Sequence, residues 1–219
     1  MRSLFALLLV SACDSPTVPE RLLTEVYDYR LLTPEPRVLR WPLGTTVNVY
    51  LHPDADAART AALEAGLENG IQVWNAAALY REVRLERTSN LEQADAVLIY
   101  SNTLQPVDVS NCSPGGGLAY TTFCLDPQDA SRLAVFPLRN STEPGKVKFL
   151  VTIRSQVTLD AESVRRLVAH ELGHVLGIAQ HSQRPTDLLY GNTLTRAEPS
   201  PADRATLQVL YHTRADITP

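Results

Sequence analysis

The 219-residue sequence is poor in sulfur and has no long apolar run. Its three cysteines are Cys13, Cys112 and Cys124, and its single methionine is Met1. The apolar stretch Leu4–Val10 covers seven residues, far short of the ~18 to 20 that cross a bilayer, so an integral-membrane bundle is excluded. The 20 lysines and arginines form no cluster and face 24 aspartates and glutamates. A net charge of −4 gives phosphate groups nothing to bind, so nucleic acid is not an expected partner. Internal repeats and low-complexity tracts are also lacking. With 44% hydrophobic and 20% charged residues, that excludes collagen and disorder. What remains is one globular domain with a core of its own. Nothing in it calls for a second subunit, and a monomer is expected.

What is present begins with an export signal. Met1-Arg2 supplies a short positive start, Leu4–Val10 the apolar region, and Ser11-Ala12 small residues before Cys13. Small residues running into a cysteine resemble the lipobox of bacterial lipoproteins. That resemblance implies removal of residues 1–12, acylation of Cys13, and a protein lipid-anchored to the bacterial cell envelope. A plain secretory signal with an incidental cysteine is the alternative. In an exported chain Cys112 and Cys124 have only each other left as partners, so a disulfide across the Gly-rich segment 113–117 is expected. Two free buried thiols are the other reading.

Residues 13–40 contain Pro16, Pro19, Pro34 and Pro36, as suits an extended tether or a segment lying on the domain surface. The domain proper is expected over residues 41–219. Alternating or buried-type patterns predict strands at 45–51, 82–87, 94–100, 133–136 and 146–153. Apolar positions at Leu63, Leu67, Ile71, Trp74 and Ala78 mark an amphipathic helix over 57–79. A second helix starts at Asp160, with Leu159 and Val164 placed as a hydrophobic staple, and a third at Ser200-Pro201.

The second helix carries His170-Glu171-Leu172-Gly173-His174-Val175-Leu176-Gly177. Residues four apart sit one above the other on a helix, so His170 and His174 present two imidazoles to one point, with Glu171 about 100° round. Two such nitrogens can reach one Zn2+ ion at about 2.0 to 2.1 Å, with the carboxylate beside it to take a proton from water. Gly177 falls where the helix should stop, because a sharp turn there needs positive φ.

These residues resemble the metzincin metallopeptidases, and within them the matrixin-like catalytic domains, whose motif is H-E-x-x-H-x-x-G-x-x-H. His170, Glu171, His174 and Gly177 match in place. The third histidine does not: the pattern puts it at Gln180, and His181 comes one residue late. Thr186-Asp187-Leu188-Leu189-Tyr190 looks like the family's Asp-Leu-Met-Tyr stretch, the Met-turn beneath the metal, with Leu189 where its methionine stands. The resemblance implies an α+β zincin fold: a mixed twisted sheet of about five strands, a long first helix, an active-site helix and a C-terminal helix. It also implies a zinc endopeptidase acting on peptide or protein substrates, with metal ligands His170, His174 and His181 and with Glu171 as general base. An edge strand would hold the substrate, and Gly117-Leu118-Ala119-Tyr120 is the candidate.

Gln180, His52, His212, Asp187 and Glu198 compete with His181 for the third ligand position. A different class of function is a surface lipoprotein whose zinc is structural, or a degenerate peptidase that binds peptides without cleaving them. A structural zinc should have four protein ligands and no use for Glu171.

Overall fold

The computed structural model describes residues 26–32, 35–100, 112–113, 116–135, 147–154, 159–192 and 194–219. The signal segment, Cys13 and the first half of the expected tether lie outside them, as do Pro114, Gly115, Phe136 and Lys146.

Among the described residues the fold is α+β, with one five-stranded mixed sheet and three α-helices. Strands β1 (Thr45–Leu51), β2 (Val83–Thr88), β3 (Ala96–Tyr100), β4 (Ala119–Thr122) and β5 (Phe149–Ile153) lie in the order β2-β1-β3-β5-β4. The first four in that order run parallel, and β4 is antiparallel to β5 at one edge. Every residue of β3 and β5 is buried, as central strands covered on both faces require. Side chains alternate between faces. Ala96, Leu98, Phe149, Val151 and Ile153 join the main core with the helices, while Val97, Ile99 and Leu150 pack under the second face with Val147 and Cys124. The expected strand at 133–136 is reduced, in its described part, to single bridges at Arg132 and Leu133. Its backbone is shared between Leu125 and Thr218 rather than laid along one neighbour.

Helix α1 (Ala57–Ala77) is capped by Asp56, whose carboxylate accepts from the backbone N–H of Ala58 and Arg59. Helix α2 (Ala161–Val175) is capped by Asp160 and α3 (Pro201–His212) by a Ser200/Asp203 capping box. Helices α1 and α2 pack closely because Gly70 sits at their contact: a Cβ there would come within 2.6 Å of Leu172 Cδ1. One turn further on, Trp74 Nε1 donates to Ala169 O at 2.7 Å. The glycine that weakens α1 as an isolated helix is what lets α2 approach.

Residues 26–32 and 35–40, read from the sequence as tether or surface segment, lie against the domain. Val38 and Leu39 are buried in the core. Their backbone pairs with residues 216–217: Ile217 N donates to Val38 O at 3.0 Å, and Arg40 N donates to Ile217 O at 3.2 Å. Tyr27 N reaches Thr206 Oγ1, and the Tyr29 hydroxyl meets Thr213 Oγ1, both on or at the end of α3. Packing therefore takes in residues ahead of Trp41, because apolar side chains at 31, 38 and 39 are drawn into the core despite the prolines around them.

Candidate metal centre

Helix α2 stops where the sequence said it should. Gly177 N donates to His174 O at 2.9 Å and Ile178 N to Gly173 O at 3.2 Å, the paired bonds of a Schellman ending. Gly177 has φ +104°, and a Cβ on it would lie 2.3 Å from Leu39 O. Both conformation and space reserve the position for glycine. The carbonyls freed at this end find other donors: Val175 O accepts from Trp41 Nε1 and Leu176 O from the Tyr211 hydroxyl.

The turn then delivers His181 to the two helical histidines. The Nε2 atoms of His170, His174 and His181 lie 3.2, 3.3 and 3.2 Å apart in pairs. Among the described residues they are the one group of three or more metal-ligating side chains close enough to share an ion. A tetrahedral ion with ligands at 2.0 to 2.1 Å holds them about 3.3 Å apart, which is the spacing found. The rings are also held with the correct nitrogens inward. His170 Nδ1 donates to Leu188 O at 2.7 Å and His174 Nδ1 to Ile178 O at 2.6 Å, so their Nε2 atoms carry lone pairs. Two lone pairs pointed at each other repel, and a cation between them removes the repulsion. Burial holds all three imidazoles below their ordinary range, His170 to about 4, so the neutral, ligating form is the one present. The group can hold a metal ion, and its donor set of three imidazole nitrogens suits zinc.

Glu171 is buried against the same cavity. Burial raises its carboxyl to about 7, and a hydrogen bond from Thr121 works in the opposite direction. That bond, Thr121 Oγ1 to Glu171 Oε2 at 2.7 Å, joins β4 to α2.

Beneath the histidines the Leu188–Leu189 turn is fixed by Asp203, which is fully buried. Its carboxylate accepts from Leu188 N at 2.7 Å, Leu189 N at 3.3 Å, Ser200 N at 2.8 Å and the Tyr27 hydroxyl at 2.6 Å. Burial, then the Asp203 charge, push the Tyr27 phenol well above its ordinary value, so it stays protonated and donates to Asp203. Leu189 is buried and packs at Gly173, where a Cβ would lie 2.8 Å from it and 2.7 Å from Trp74. A leucine thus fills the apolar place expected for a methionine.

The competitors for third ligand are occupied elsewhere. Gln180 Nε2 donates to Arg30 O at 2.9 Å. Asp187 is buried among Ser182, Ser200 and Arg184. His52 sits by Pro53 O, His212 is beside Glu82 and Tyr80, and Glu198 is exposed.

Gly117, Leu118, Ala119 and Tyr120 all line the cavity of about 750 Å³ that holds the histidines and Glu171. Gly117 and Leu118 precede β4, and Ala119 and Tyr120 open it. Arg154 N donates to Leu118 O, so in the alternating antiparallel ladder the backbone groups of Ala119 face away from β5. Cys112 and Cys124 form a disulfide that flanks this strand. The bridge holds Ser113 along it, with Ser113 N donating to Phe123 O and Ser113 Oγ to Thr121 O.

Sequence reasoning missed Thr121, Asp203 and the whole contribution of Tyr27 to Leu32. Thr121 and the N-terminal residues carry no local signature; for Asp203 the one available signal is its place three residues after the Ser200 start of α3, where a capping box puts an acid.

No family model matches the chain, and no curated protein does. Among solved structures it is similar to the crystal structure of myroilysin, with a TM-score of 0.45 and 12% identity over 85% of this chain and 99% of that one.

Proposed function

We propose that the chain is a zinc-dependent endopeptidase of metzincin, matrixin-like type. The observation that carries this reading is the convergence of three Nε2 atoms at tetrahedral ligand spacing beside a buried carboxylate in an open cavity. His170, His174 and His181 would hold the ion, whose chemistry is that of a Lewis acid toward a peptide carbonyl and a water.

The protein's own groups do the rest. Thr121 occupies Oε2 of Glu171, and Oε1 is the oxygen that receives the proton of the attacking water and returns it to the leaving amine. An extended substrate pairs with the outward-facing backbone of Ala119 and runs past Gly117, Leu118 and Tyr120. Three protein ligands leave one position open, and Glu171 has a use; a structural zinc would offer neither.

The test is metal analysis of the purified protein with casein hydrolysis by wild type and by Glu171→Gln. One zinc per chain in both, with activity lowered on the order of 10²-fold or more in the variant, is the expected result. Zinc with no cleavage that depends on Glu171 would leave a peptide-binding protein instead. The same reading extends to residues 1–12 as a lipoprotein signal and Cys13 as the acylated residue, tested by palmitate labelling of wild type against Cys13→Ser.

A further inference from the structure

One wall of the cavity comes from the N-terminal segment. Leu31 and Leu32 line it beside Ala179 and Gln180, and Gly117 to Tyr120 line it as well. Among the described residues that line it there is no lysine, arginine or aspartate, and the one carboxylate is Glu171. Leu31 is tucked into the core, yet Leu32 is 81% exposed.

The backbone that presents Leu32 is pinned. Ala179 N donates to Tyr29 O and Gln180 Nε2 to Arg30 O, both at 2.9 Å. Leu31 N donates to Arg37 O at 2.9 Å. Gln180 lies in the turn between Gly177 and His181, which is one residue longer than the motif the sequence resembles, so the turn that brings His181 round also clamps this segment. A leucine held out on a pinned backbone, on one wall of the cavity, is arranged to contact what enters that cavity.

We propose that Leu32 is a specificity-determining residue that receives an apolar side chain of an extended peptide substrate. The proposal rests on the peptidase reading and names its substrate class. The occupant is a peptide because the same cavity presents the outward backbone of Ala119, which an extended chain completes.

The test uses zinc-loaded Glu171→Gln protein, which should bind without cleaving, and a set of peptides in which each leucine flanking one scissile bond is replaced in turn by glutamate. At one position the leucine peptide should bind about tenfold tighter, the effect of covering one aliphatic side chain. Leu32→Lys should reverse the preference at that position alone, and Gln180→Ala should blunt it while zinc stays bound. Cleavage rates with Glu171 restored should follow the same order. An unchanged preference in Leu32→Lys, in a protein that binds or cleaves, overturns the assignment to Leu32. A preference that moves with Leu32 in a protein that cleaves nothing overturns the peptidase reading and leaves the peptide site. Loss of both binding and cleavage in wild type overturns both.

Discussion

The floor and the walls of the cavity are built on different principles. Under the histidines, Asp203 is buried with four donors on its carboxylate, and Leu188 passes that constraint on through its carbonyl to His170. The walls rest on one disulfide, one short edge strand and an N-terminal segment that carries an exposed leucine. A buried, fully satisfied polar network tolerates little displacement, whereas exposed apolar side chains can be exchanged at small cost to the fold. On the proposed reading the floor fixes the chemistry and the walls fix what reaches it.

Substitutions can break that division in graded steps. Asp203→Ala should have the largest effect on stability, because it strands Leu188 N, Leu189 N, Ser200 N and the Tyr27 hydroxyl. A loss on the order of 3 kcal/mol or more is expected in denaturant melts, with weakened zinc binding. Removing the disulfide by Cys112→Ser with Cys124→Ser should cost up to about 3 kcal/mol in the same melts. It should raise KM for peptides while zinc stays stoichiometric, since the bridge supports a wall only.

Thr121→Val tests the link between the edge strand and Glu171. Losing a hydrogen bond to a buried carboxylate should lower kcat about tenfold to a hundredfold at similar KM, with Thr121→Ser restoring most of it. Leu189→Met should do least. The swap nearly conserves volume, so a stability change under about 1.5 kcal/mol and unchanged zinc affinity are expected. A large gain in activity would show that the thioether has a role that packing does not supply.

The floor was largely legible in the sequence. The i, i+4 spacing of His170 and His174, the neighbouring Glu171 and the stop at Gly177 are local features of one helix, and local geometry can be read from one segment. His181 was reachable through the turn because its displacement is a single residue. Asp160 and the Ser200 start were readable as caps for the same reason. The walls depend on contacts between distant segments. Thr121 meets Glu171 across 50 positions, and Gln180 meets Arg30 across 150, and nothing in either local sequence announces its partner. The prolines of residues 13–40 argued for a segment outside the core, but burial of Val38 and Leu39 outweighs them once residues 216–217 supply a backbone to pair with.

That last pairing governs the order in which the domain can assemble. Tyr27, Tyr29, Val38 and Arg40 are translated before their docking surface on Asp203, Thr206, Thr213 and Ile217, which follows more than 160 residues later. Contacts so far apart in the chain close late in folding. A nascent chain therefore has no finished cleft until residues 203–217 have emerged to receive the N-terminal segment.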